Sequence, residues 1–360
     1  MAVAVAHWVT PYPFGLPAGT IGVSLFFVIS GYLITGNLLE AAAAGGSPWT
    51  KLGNFYGRRI LRIFPLYYAA ILGAALAGIP PFRDTLGTTL SYLTNGHLFV
   101  RGEWHGYISH LWSLSVEQHF YLFWPLVVLF VPASRMAALT IGLVLFAPIF
   151  RVAASVVFPE THPHLISILT PACFDSLGIG AFIALLRSAR ENTASTDRAI
   201  RLALVCGLTA FAVIWSLHAG GIQTRLMDLL YPTTLCLVFG WLVDRGARGF
   251  SGRFGATLQS PLLVYLGTIS YGIYVFHYLT PWVVYYLLSR LGYGATQIQT
   301  LMDSTVIYTV VLTAITVLAA SVSWHALERP LNALKRYFPR PDNGPPSPVT
   351  FNSKQTPVTS

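Results

Sequence analysis

Long apolar runs broken by short polar stretches dominate the chain. A membrane-spanning helix needs about 20 mostly apolar residues, and about ten candidate spans meet or approach that length. They lie at 1–10, 20–39, 61–79, 114–131, 136–158, 165–186, 200–218, 226–243, 262–288 and 304–325. The fold class expected is therefore all-α, a polytopic membrane helix bundle. Loop charge tests the count, because Lys and Arg concentrate on the cytoplasmic side. Lys51, Arg58, Arg59 and Arg62 mark one such loop, Arg187, Arg190, Arg198 and Arg201 a second, and Arg245, Arg248 and Arg253 a third; the tail after Arg329 is basic too. Ten spans with both termini cytoplasmic satisfy all four clusters. Counting 85–100 as a further span would reverse the later clusters, so 85–110 is placed on the outer side, partly re-entrant.

The first span is short: Met1 to Val9 rises only ~14 Å as a helix, against a hydrocarbon core of about 30 Å. Pro11, Pro13 and Pro17 discourage its extension. The expectation is a truncated first helix, with a natural start about ten residues earlier at 1.5 Å per residue, or a misassigned one. Residues 1–335 form the membrane domain; 336–360, rich in Pro, Ser, Thr and Asn, read as a polar, disordered cytoplasmic tail.

Composition agrees with a membrane protein: 54% of residues are hydrophobic, 14% aromatic and only 10% charged, against about 25% charged in soluble chains. The net charge of +9 sits in the loop clusters, so it reads as topology with some attraction to membrane lipid, and no nucleic-acid partner is expected. Cys173, Cys206 and Cys236 fall singly inside apolar segments, as small core residues, and no metal site is expected. No cleavable signal, internal repeat, HExxH, GxSxG, P-loop or dinucleotide-binding fingerprint is present.

The candidate chemistry centres on 111–125, LWSLSVEQHFYLFWP. An ionised carboxylate at a helix centre costs roughly 2.5–3.5 kcal/mol on insertion scales, so Glu117 is either a functional group or a headgroup-level residue. Ser113, Glu117 and Tyr121 recur every four residues, a polar stripe able to line a cavity. His110 and His119 flank it and read as surface or interfacial residues. His7, beside Trp8, is a packed histidine or a proton acceptor near neutral pH. In the second span Gly22, Ser24, Ser30, Gly31, Thr35 and Gly36 stand among large side chains and read first as close-packing residues. Arg59 and Arg62, with Arg58, mark topology or clamp phosphate through forked donors. Tyr271, Tyr274 and His277 share about one helical face, and Glu328 with Arg329 reads as an anchoring, paired edge.

Taken in order, these segments resemble the membrane acyltransferase 3 family. The matches are His7 closing the apolar start, GVSLFFVISGYLIT, RRILRIFPLYY, LWSLSVEQHFYLFWP, SYGIYVFH and a terminal WHALERPL. The resemblance implies an enzyme that moves an acyl group, acetyl by default, from cytoplasmic acyl-CoA to a hydroxyl of a cell-surface or exported carbohydrate. It implies that His7 is the catalytic histidine, that Arg59 and Arg62 match the family's two arginines separated by two residues, that Glu117 is the glutamate of SLSVE, and that His277 closes SYGIYVFH. Gln118 and His119 depart from the commonest pattern, and the family's usual basic residue upstream of the histidine would precede Met1. The chain resembles the stand-alone members, without a soluble hydrolase-like domain.

The leading expectation is thus an integral O-acyltransferase of the cytoplasmic membrane. His7 and Glu117 are its catalytic residues, Arg58, Arg59 and Arg62 hold acyl-CoA as co-substrate, and Ser30, Tyr121, Tyr274 and His277 line the acceptor site. No cofactor is permanently bound. The alternatives are a proton-coupled secondary transporter using Glu117, His7 and His277 as a relay, and a non-catalytic membrane scaffold.

Overall fold

The computed structural model describes Trp8 and residues 18–188, 193–222, 224–294, 296–297 and 305–339. His7, the rest of the expected first span and the tail from 340 lie outside the described residues. Within them the ordered elements are helical. They are α1 (Ala18–Ala43), α2 (Pro48–Leu76), α3 (Leu86–Leu90), α4 (Thr94–Arg101), α5 (Leu111–Phe130), α6 (Ala133–Val157), α7 (Pro163–Ser167) and α8 (Phe174–Ser188). After these come α9 (Thr193–Ala219), α10 (Arg225–Arg248), α11 (Gly252–Leu258), α12 (Pro261–Thr268), α13 (Ser270–Phe276), α14 (Thr280–Arg290), α15 (Thr305–Ser323), a π turn at Trp324–Glu328 and α16 (Arg329–Ala333).

Among the described residues seven helices are long and apolar enough to cross a membrane. Two more expected spans are occupied by α5, 20 residues long, and by the succession α12 to α14. Proline sets several starts: Pro48, Pro163, Pro261 and Pro281 stand in the first turn of their helices, where the missing N–H costs nothing.

Three expected boundaries are corrected. The third span begins at Pro48 rather than 61, because aromatic neighbours shelter the arginines that hydropathy treats as a stop. The span expected at 165–186 opens only at Phe174; α7 and a 3-10 turn at Thr170–Cys173 precede it, each led by a proline. The apolar run 262–288 is broken at Ile269 and again after Phe276. Residues 85–110 fold back as α3, α4 and a short 3-10 turn. Tyr67 donates to the Thr89 carbonyl at 2.7 Å and Asn95 to Thr170 Oγ1 at 3.0 Å, tying this segment to α2 and to the turn before α8.

The basic loops gather at one end. Trp49 packs on Phe130 with ring centroids 5.0 Å apart, and Arg58 donates to the Phe338 carbonyl at 3.3 Å. Tyr32 of α1 belongs to the same hydrophobic cluster as Trp241, Leu242 and Val243 near the end of α10. There Arg187 grips Asp244 at 2.6 Å and Asp197 at 2.5 Å.

Two devices hold α1, α6, α8 and α10 together. A Cβ on Gly31 would lie 2.0 Å from the Leu177 carbonyl oxygen, and one on Gly180 2.0 Å from that of Val28. The α1 and α8 backbones therefore touch, as small residues permit between membrane helices. Arg151 is only 1% exposed. It donates to Asp175 at 2.8 Å, to Thr233 at 2.5 Å and to the carbonyls of Leu229 and Ala172, joining α6 to α8 and α10. Removing one partner of such a buried pair costs about 3–5 kcal/mol, because a lone charge remains. Cys173 and Cys236 are buried as expected, whereas Cys206 lies exposed on α9.

Candidate functional site

The site is built on α5. Ser113, Glu117 and Tyr121 share one face of the helix and all three are buried. They cover about 12 Å of its length at 1.5 Å per residue. Glu117, 4% exposed, lies inside the bundle where α5 meets α1, enclosed by protein rather than solvated. Ser30 Oγ donates to its Oε1 at 2.6 Å, the Tyr121 hydroxyl donates to the same oxygen, and the two hydroxyl oxygens are 3.3 Å apart. A buried carboxylate survives only when hydrogen-bonded, and this triangle meets that condition. Gly31 explains how Ser30 gets there: the next position lets α1 lie against α8, and Ser30 then faces α5. Trp124 Nε1 donates to Thr35 Oγ1 at 2.8 Å and fixes the same helix pair one turn further on.

From Tyr121 the column continues to α2. The Arg59 guanidinium lies over the Tyr121 ring at 5.1 Å and over Phe55 at 5.5 Å. Arg62 lies over Trp324 at 5.6 Å. Neither guanidinium forms a salt bridge with a described residue. Aromatic faces hold a guanidinium without neutralising it, which leaves its forked donors to an anion. Arg59 lies about 16 Å along α2 from its first residue. Arg58 is turned to the Phe338 carbonyl, so the structure does not bring it together with the other two.

At the other end of the stripe, the Tyr274 hydroxyl donates to the His110 carbonyl at 2.9 Å and pairs with Ser113 Oγ. His277 caps α13 where the ninth span breaks. Its Nδ1 lies 2.6 Å from the Tyr274 carbonyl; a carbonyl can only accept, so Nδ1 carries a proton. His110 donates from Nε2 to the Val275 carbonyl at 3.3 Å, and its ring centroid lies 5.2 Å from that of His277. Trp8 Nε1 donates to the His277 carbonyl at 3.1 Å.

The structure thus joins Ser30, Glu117, Tyr121 and Arg59 in one group and Tyr274 and His277 in another, both on the α5 stripe. His7 lies outside the described residues. The expectation for His110 is corrected: it is 2% exposed and packed on His277, not interfacial. A signal for it existed, since His110 precedes Ser113 by three residues and extends the same helical face. His119 is half-buried, bonded through Nδ1 to Thr170 Oγ1 at 2.6 Å. The expected pairing of Glu328 with Arg329 is corrected: the two form no salt bridge among the described residues. Glu328 is buried, accepts from Ser323 at 3.2 Å and leaves Oε2 with no hydrogen-bond partner among the described residues. Among the described residues no group of three His, Cys, Asp or Glu is placed to hold a metal.

The arrangement offers imidazoles at one end of a polar column, a hydrogen-bonded carboxyl group in the middle and the Arg59 guanidinium at the other end, with Arg62 nearby over Trp324. Proton transfer and anion binding are its natural chemistry.

Comparison with known proteins gives the same direction. The acyltransferase domain of the acyltransferase 3 type matches residues 1–324. OatA of Listeria monocytogenes, named a peptidoglycan O-acetyltransferase, is 27% identical over 292 residues, covering 72% of this chain and 44% of its own. YrhL of Bacillus subtilis, provisionally named a peptidoglycan O-acetyltransferase, is 26% identical over 346 residues, 87% of this chain and 50% of its own. The chain spans about half the length of the curated relatives it matches. No solved structure matches it.

Proposed function

Because the chain belongs to the acyltransferase 3 family, we propose that it is a membrane O-acetyltransferase taking acetyl from cytoplasmic acetyl-CoA to a hydroxyl of a cell-envelope carbohydrate, of the peptidoglycan class. The observation that carries this reading is the buried triangle of Ser30, Glu117 and Tyr121 with Arg59 stacked on Tyr121. Arg59 and Arg62 bind the phosphates of CoA and hold its thioester toward the column. The acceptor hydroxyl enters from the histidine end. His7 takes its proton as the oxygen attacks the thioester carbonyl; the C–S bond breaks, an ester forms and CoA leaves as a thiolate that takes up a proton. Glu117 holds Ser30 and Tyr121 toward the reacting groups. The support for His7 is that its chain neighbour Trp8 is bonded to the His277 carbonyl.

The test is incubation of the protein in membranes with radiolabelled acetyl-CoA and peptidoglycan. Label passing to the glycan in an alkali-labile ester is the expected result. Proton-coupled solute uptake into vesicles without transfer would establish the transporter reading instead.

A further inference from the structure

Away from the column, a groove of about 300 Å³ opens between the start of α9 and the end of α10, lined by Asp197, Ile200, Arg201, Trp241, Arg245 and Arg248. The charges around it are unevenly matched. Asp244 is bound by Arg187 at 2.6 Å and by Arg248 at 2.6 Å, and Asp197 by the same two arginines at 2.5 and 3.2 Å. Both carboxylates are thereby committed. Arg245 lies by the Phe250 ring, at 6.0 Å, and among the described residues neither it nor Arg201 forms a salt bridge. A preference for basic loops accounts for arginines at this end of the bundle. It does not account for two of them without a salt bridge among the described residues on the walls of one groove beside a tryptophan.

The exposed side of α9 continues from Arg201 with Leu202, Val205 and Leu208, all open to the surroundings. In a bilayer this strip faces acyl chains. Basic pockets between membrane helices, at the level where headgroups lie, bind anionic lipid, and tryptophan favours that same level.

We infer that Arg201 and Arg245 form a binding site for the phosphate of an anionic phospholipid, whose acyl chains lie along Leu202, Val205 and Leu208 of α9. The headgroup stands against Trp241 and Ile200, and Arg248 frames the site while held by the two aspartates. The lipid steadies the α8, α9 and α10 ends and takes no part in acyl transfer.

The test is native mass spectrometry of the purified full chain in detergent, titrated with phosphatidylglycerol or phosphatidylcholine. Each arginine near a membrane surface contributes about 1 kcal/mol toward anionic lipid. Two therefore predict about a thirtyfold preference for phosphatidylglycerol, at 1.4 kcal/mol per tenfold. Arg201→Ala with Arg245→Ala should abolish the preference while phosphatidylcholine retention is unchanged. Arg201→Gln alone, at an exposed position, should lower the preference about fivefold by the same conversion, and it serves if the double variant fails to fold. Undiminished preference in either variant overturns the site. Displacement of phosphatidylglycerol by excess inorganic phosphate overturns the lipid and leaves a site for soluble phosphate.

Discussion

Ser30 donates its hydroxyl hydrogen to Glu117 across 2.6 Å, linking the middle of α1 to α5 inside the bundle. The bond exists because α1 is drawn in by its glycine: the Gly31 position lies against the Leu177 carbonyl, and the residue before it faces α5. Packing between α1 and α8 and chemistry on α5 are thereby one design.

That coupling gives a stability test. Gly31→Ala would place a methyl group on the Leu177 carbonyl and force the helices apart, whereas the Gly36 position has nothing within 4 Å. Gly31→Ala should cost about 1–3 kcal/mol, the usual range for overpacking. Gly36→Ala should leave the melting temperature unchanged or slightly raised, since alanine favours helix by up to about 1 kcal/mol. Thermal melts of both variants in one detergent check the pair; equal behaviour would contradict the close approach.

Much of this site was legible in the chain. The four-residue recurrence of Ser113, Glu117 and Tyr121 needed only the helical period, and Arg59 and Arg62 share a face by the same rule. His110 escaped because it stands just before the apolar run, where a lone histidine reads as interfacial; its burial depends on Tyr274, Val275 and His277 arriving from far along the chain. The break at Ile269 escaped too: Gly267, Thr268 and Ser270 flank it, but in a membrane run such small residues read as packing positions, and hydropathy is blind to a turn inside a membrane. Glu328 looked like an edge residue because a π turn, which no local pattern announces, rotates it inward.

Arg59→Ala with Arg62→Ala should weaken CoA binding. Hydrogen bonds to charged groups are worth about 1.5–3 kcal/mol, so losing the clamp predicts roughly ten- to hundredfold weaker affinity. Isothermal titration with CoA and with dephospho-CoA checks this. Unchanged affinity for both ligands would leave the arginines with topology alone.

The loop histidines predict a pH dependence of stability. Burial holds His97 below the ordinary histidine value, aided by His105, whose Nδ1 lies 3.1 Å from His97 Nε2, and by Arg101. His164 is lowered in the same direction by burial and then by His162. A histidine depressed in the folded state binds more protons when unfolded. Its contribution is therefore present above the unfolded value, about 6.5, and lost as the pH falls below it. The melting temperature should fall between pH 7.5 and pH 5.5, and His97→Gln should make that fall shallower. A variant with the wild-type slope would contradict the assignment.

Glu117→Gln keeps the size of the side chain and removes its ionisable carboxyl, so it separates a working acid from a structural one. Acetyl transfer from radiolabelled acetyl-CoA to peptidoglycan should be followed in purified wild-type and variant protein, alongside their melting temperatures. The proposed site predicts transfer reduced by about a hundredfold, the scale on which a lost positioning contact lowers rate, with melting within a few degrees of wild type. Full transfer by the variant, or activity lost only in step with unfolding, would contradict it.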